Sequence, residues 1–92
     1  MAGAEQVFRA VLELVPSEPR AIRGLCRVWV VKGTPSSAVD LLRQVIERSP
    51  APHTREEWQR ELGDLFLVHL GDADRARVCY EDAAAASAYG IG

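Results

Sequence analysis

The chain has 92 residues, 48% of them hydrophobic and 26% charged, with a formal net charge of −2. That length makes one small domain at most, since domains usually run to ~100–150 residues. The acidic balance leaves no electrostatic footprint for nucleic acid or an anionic membrane. Apolar runs such as Val28-Trp29-Val30-Val31 and Leu65-Phe66-Leu67-Val68 fall far short of the ~20 residues needed to span a bilayer. Glu5, Arg9 and Glu13 interrupt the first apolar stretch, which does not read as a signal peptide. Cys26 and Cys79 fit no CxxC or Cys/His ligand spacing and lie inside helical patterns, where a free Cys behaves as a small buried hydrophobe. A reducing cytoplasm is the compartment this implies.

Five amphipathic helices are predicted in order. Residues 3–15 place Ala4, Phe8, Val11 and Val15 on one stripe at helical spacing. Pro16-Ser17-Glu18-Pro19 stops that helix and starts the next, because Pro suits the first helical turn and not the interior. Residues 19–32 carry Ile22, Leu25, Cys26 and Trp29, and Gly33 is the expected C-cap. Ser36 or Ser37 is the expected cap of a third helix over 37–49, with the stripe Ala38, Leu41, Leu42, Val45 and Ile46. Ser49-Pro50-Ala51-Pro52 closes it. Thr54-Arg55-Glu56-Glu57 reads as a capping box that opens a fourth helix over 55–70, with Trp58, Leu62, Leu65, Phe66 and Leu70 apolar. Gly71-Asp72 gives a break and a fresh cap. A fifth helix over 73–88 carries Ala76, Cys79, Tyr80, Ala83 and Ala84. Residues 1–88 are thus one domain, and 89–92 are expected to be a flexible tail. No segment alternates with period two.

The chain also repeats itself. Ala4, Phe8, Val11 and Pro16 recur as Ala38, Leu42, Val45 and Pro50, each displaced by 34 positions. A third copy starts at Ala76, with Tyr80 and Ala83 at the same internal steps, 38 positions after Ala38. A small Ala lets antiparallel helices approach closely, a large residue one turn later fills the gap, and Pro forbids continuation. A period in this range means helical hairpins that bury their faces by stacking.

With these residues in place, the sequence resembles the tetratricopeptide repeat, a helix–turn–helix unit. Leu62-Gly63, Phe66, Gly71-Asp72, Ala76, Tyr80 and Ala83 carry the resemblance in one copy. Leu25, Cys26, Trp29, Gly33, Ala38, Leu42, Val45 and Pro50 carry it in the middle copy. The resemblance implies an all-α, right-handed solenoid of antiparallel hairpins, about two and a half repeats over residues 4–84. Two departures stand out: the Gly63-to-Gly71 step is one residue longer than the family's, and Cys26 replaces a small Gly or Ala. The first copy also lacks its leading helix, which leaves Val7, Leu12 and Leu14 without a covering partner.

Catalytic chemistry finds little to work with. His53 lies in the Pro-rich linker and reads as a solvated loop residue; His69, between Val68 and Leu70, reads as a surface helical one. There is no GxSxG, phosphate-cradling Gly loop or HExxH, and two His with two Cys on four elements match no zinc site. Glu56, Glu57, Glu61 and Asp64 read as a solvated helix face with a favourable acidic N-terminus. Trp29 is assigned to core packing, and Trp58, one step off the repeat register, is open between core and exposed contact. The expectation is a non-enzymatic chain without cofactor or metal.

Arg20, Arg23 and Arg27 fall at i, i+3 and i+7 and share one helix face; Glu57, Glu61 and Asp64 do the same on the fourth helix. The resemblance implies that the first helix of each hairpin lines a peptide-binding groove. The groove residues are then Arg20, Arg23, Gly24, Arg27, Val30 and Val31, with Glu57, Arg60, Glu61, Asp64, Leu67 and Val68 opposite. Arg23 and Arg27 would hold an acidic peptide or a C-terminal carboxylate. The bland alternative is that the two charged rows neutralise each other. The expected function is protein–protein recognition or scaffolding with a protein or peptide partner, and neither nucleic acid nor membrane. The alternative is a homodimerisation element whose open ends pack on a second copy.

Overall fold

The computed structural model describes the backbone of residues 2–91 and the side chains of residues 3–85. The fold is all-α, with no strand among the described residues: α1 Ala2–Leu14, α2 Pro19–Lys32, α3 Pro35–Arg48, α4 Pro52–Asp64, a π-helical turn Leu65–His69, and α5 Ala73–Ile91. The chain divides into two compact units, Met1–Leu41 and Leu42–Gly92. The division falls within α3. The fifth helix runs three residues beyond its expected end, and Gly92 of the expected tail lies outside the described residues. No helix is long and apolar enough to cross a membrane among the residues described.

In the first unit α1 and α2 form an antiparallel hairpin. Pro19 occupies the first helical position of α2, and the Glu18 carboxylate accepts the Arg20 N–H at 3.1 Å, satisfying one of the orphan amides there. Gly33, at φ 85°, ends α2. Its N–H donates to the Val30 carbonyl at 3.1 Å and that of Thr34 to the Trp29 carbonyl at 2.8 Å, a Schellman termination. The hairpin closes at Gly24, where a Cβ would run into the Phe8 ring. Ala21, Ile22 and Leu25 are buried. Ala4 is exposed, whereas its repeat equivalents Ala38 and Ala76 are buried. Val7 and Leu14 are also exposed, as expected for a helix without a leading partner.

Two expected caps are corrected. The third helix starts at Pro35, not after Ser36 or Ser37, and the fourth starts at Pro52, with Ala51 as an N-cap that offers no side-chain hydrogen bond. Thr54 therefore lies inside the first turn of α4, and the capping box does not form. Glu57, the acidic residue of that box, instead lies 3.4 Å from His53 Nε2. Pro at the first position is already shaped for the helix and lacks one of the N–H groups that a cap would have to satisfy. It sets the start at Pro19, Pro35 and Pro52 alike. The Asp72 cap does form: its Oδ1 accepts the Arg75 N–H at 3.0 Å.

In the second unit α4 and α5 form the other antiparallel hairpin, closed at Gly63, where a Cβ would lie 2.8–3.1 Å from Tyr80 ring atoms. Leu42, Val45, Ile46, Trp58, Leu62, Leu65, Phe66, Ala76, Cys79 and Ala83 are buried here, which assigns Trp58 to the core. The extra residue between Gly63 and Gly71 is taken up by the π turn. The Leu70 N–H donates to the Leu65 carbonyl five residues back at 3.2 Å, and Asp72 reaches the Phe66 carbonyl at 2.9 Å, around Gly71 at φ 63°. Each bond spans one residue more than its α-helical counterpart. The expected uninterrupted helix over 55–70 is thus an α-helix to Asp64 followed by a bulge. The bulge keeps Leu65 and Phe66 buried on one side and the Gly71 turn in place on the other.

Deleting the exposed Val68 should convert both bonds to their ordinary spans and leave the thermal midpoint unchanged or higher. Deleting the exposed Arg60 should instead rotate Trp58 out of the core at a cost of about 3–5 kcal/mol. Circular-dichroism melts of the two variants check this; equal losses would contradict the assignment of the extra residue to the bulge.

Candidate protein-binding surface

On α2, Arg20, Arg23 and Arg27 are all exposed, and Val31, 81% exposed, continues their row one turn further. Val30 is half-buried at its edge. Gly24 does not belong to this row as a lining residue, because the Phe8 ring covers it. Lys32 and Arg9 lie off this row. Lys32 Nζ donates to Glu5 Oε1 at 2.8 Å, Arg9 reaches Glu5 Oε2 at 2.9 Å, and the Arg9 guanidinium stands 5.8 Å from the Trp29 ring centre. The hydrogen bond from Lys32 is the main reason that the Glu5 carboxyl sits below its usual range. Trp29 is half-buried beneath Arg9, not fully in the core.

The second row takes another form. Glu57, Arg60 and Asp64 are exposed and Glu61 is half-buried; beyond them Leu67 and Val68 on the π turn are 49% and 70% exposed. Its polar members have partners. His53 Nε2 lies 3.4 Å from Glu57 Oε1, Arg60 pairs with Glu56, and the Tyr80 hydroxyl donates to Asp64 Oδ1 at 2.5 Å. His53 belongs to the first turn of α4 and not to a loop, and it is exposed there; His69 is exposed on the π turn. The second row thus mixes carboxylates and an arginine with an apolar end, whereas the first is uniformly cationic up to Val31.

The second unit also has an open cleft of about 460 Å³ that sequence reasoning missed. Arg43 and Glu47 of α3, Gln59 of α4, Phe66, and Cys79 and Asp82 of α5 are among its lining residues. The Arg75 guanidinium stands 5.8 Å from the Phe66 ring centre. Burial, with a smaller push from Asp82, raises the Cys79 thiol's pKa, and Arg43 offsets this only in part. The thiol therefore stays protonated near neutral pH and is a poor nucleophile. Among the described residues no group of three His, Cys, Asp or Glu side chains is placed to hold a metal ion.

In comparisons with protein-family models, curated proteins and solved structures, the chain matches none.

The bond to Asp64 is also the chief cause of the Tyr80 phenol titrating at about 12 instead of 10. A pKa raised on folding stabilises the fold fully below the unfolded value, and that contribution is lost as pH rises through the folded one. The Tyr80 hydroxyl should thus support the hairpin at neutral pH and cease to do so between pH 10 and about 12. Ultraviolet titration should place its midpoint near 12 and return it towards 10 in Asp64→Asn; an unchanged midpoint in that variant would contradict the assignment.

Proposed function

We propose that the chain is a non-catalytic protein-binding module built from tetratricopeptide-like helical hairpins. Recognition falls to α2 and α4, which lead their units in the frame of the sequence repeat, and α2 takes an acidic peptide or a peptide's C-terminal carboxylate. The observation that carries the reading is the exposed row Arg20, Arg23, Arg27 on one face of α2, followed by exposed Val31. A planar guanidinium binds a carboxylate through two parallel hydrogen bonds, and several such groups in line fit a chain terminus or a run of Asp and Glu. Val31 adds an apolar contact at the end of the row. Further support comes from the two hairpins, each closed by an aromatic side chain over a glycine, and from the 34-residue spacing of Ala4, Phe8, Val11 and Pro16. On the π turn that follows α4, the exposed Leu67 and Val68 give a second partner-facing patch.

The test is fluorescence anisotropy with labelled acidic peptides, each prepared with a free and with an amidated C-terminus. The reading predicts binding that weakens as salt rises. Arg23→Glu with Arg27→Glu should weaken it at least tenfold, because charge-assisted hydrogen bonds are worth about 1.5–3 kcal/mol each. Amidation should do the same where the terminal carboxylate is the group held. A panel in which no peptide binds, or in which the double reversal leaves binding intact, would remove α2 as the recognition element.

A further inference from the structure

The first helix is apolar on two opposite faces. Glu5 and Phe8 meet α2 through Lys32 and Gly24. At 3.6 residues per turn, Gly3, Val7, Ala10 and Leu14 fall on the reverse side as a single stripe. All four are exposed, Val7 at 60% and Leu14 at 85%, and a Cβ at Gly3 would meet nothing within 4 Å. A helix that is apolar on both sides is normally covered on both. The charged residues of α1 leave the stripe free, since Glu5 and Arg9 are paired with one another beside α2 and only Glu13 borders it.

We infer that this stripe docks against the same stripe of a second copy of the chain, with the two α1 helices antiparallel. The argument is the order of sizes. Small and large residues alternate along the stripe as Gly3, Val7, Ala10, Leu14, so that each size recurs every seven residues. In an antiparallel pair centred between Phe8 and Arg9, Val7 faces the second copy's Ala10, and Leu14 faces its Gly3. Every large side chain then meets a small one, and the helix axes can approach closely. A parallel pair would set Val7 against Val7 and Gly3 against Gly3, leaving a clash beside a void. The antiparallel arrangement is a two-fold contact in which one surface complements itself, the commonest form of self-association. It also sends the two copies of Glu13 to opposite ends. The 13-residue helix is about 20 Å long and 10–12 Å across, so the contact is smaller than the ~800 Å² per partner of a stable complex. Association is accordingly weak, in the upper micromolar range. It uses none of the α2 residues proposed to bind peptide, so either proposal can fail without the other.

Sedimentation equilibrium from micromolar to millimolar concentration tests it. The wild-type mass should rise from 10.1 kDa towards twice that value. Val7→Glu and Ala10→Arg should each remain monomeric with unchanged helical circular dichroism, as both positions are exposed. A mixture of the two should associate again, because Glu at 7 then faces Arg at 10 across the pair. Ala10→Leu separates shape from stickiness: it should weaken association at least tenfold although it makes the stripe more apolar. A wild type that stays at 10.1 kDa, single variants that still associate, a mixture that does not, or stronger association of Ala10→Leu would each overturn the inference.

Discussion

Two antiparallel helices approach most closely where one of them presents no side chain, and glycine provides this at Gly24 beneath the Phe8 ring and at Gly63 beside the Tyr80 ring. A helical glycine costs up to about 1 kcal/mol relative to alanine, so it persists where something occupies the space of its Cβ. Here the occupant is an aromatic side chain from the partner helix, and the remaining features of each hairpin follow from that seat. In the first, the seat is flanked by the Glu5–Lys32 ion pair near the open end. In the second, the Tyr80 ring reaches past Gly63 and places its hydroxyl on Asp64, so one side chain supplies both the packing and the polar tie.

The π turn follows from the same constraint. With Gly63 fixed by Tyr80 and the Gly71 turn fixed by its left-handed conformation, one residue too many lies between them. A continuous α-helix would carry that residue as a rotation of everything beyond it. The bulge instead absorbs it locally within Leu65–His69 and leaves Leu67 and Val68 facing solvent. The residue that the bulge absorbs thus leaves an exposed apolar patch, and π turns of this kind often coincide with functional surfaces.

Much of this was legible in the sequence. Apolar spacing gave five helices, Gly33 and Gly71-Asp72 gave two boundaries, and the one-residue excess before Gly71 was visible as a departure from the repeat. Ser36, Ser37 and Thr54 are good cap residues and draw the expected starts of α3 and α4 past Pro35 and Pro52, although Pro19 sets the start of α2 by the same physics. Trp58 was undecided because periodicity alone does not say which side of an amphipathic helix a boundary residue joins. The pairing of Glu5 with Lys32, 27 positions away, and the seating of Phe8 on Gly24 depend on how the hairpin closes, which local pattern does not encode. Of the expected binding residues, Arg20, Arg23 and Arg27 are exposed. Gly24 is spent on packing, and Asp64 is tied to Tyr80.

The most direct test of the account is the proton NMR environment of the two glycines. An aromatic ring seated against a glycine shifts its Hα protons well upfield and gives strong cross-relaxation to the ring protons. The account predicts such shifts for Gly24 and Gly63, with contacts to the Phe8 ring and the Tyr80 ring respectively, and none for Gly3, which has open space around it. Ordinary helical glycine shifts at Gly24 and Gly63, without contacts to those rings, would contradict it.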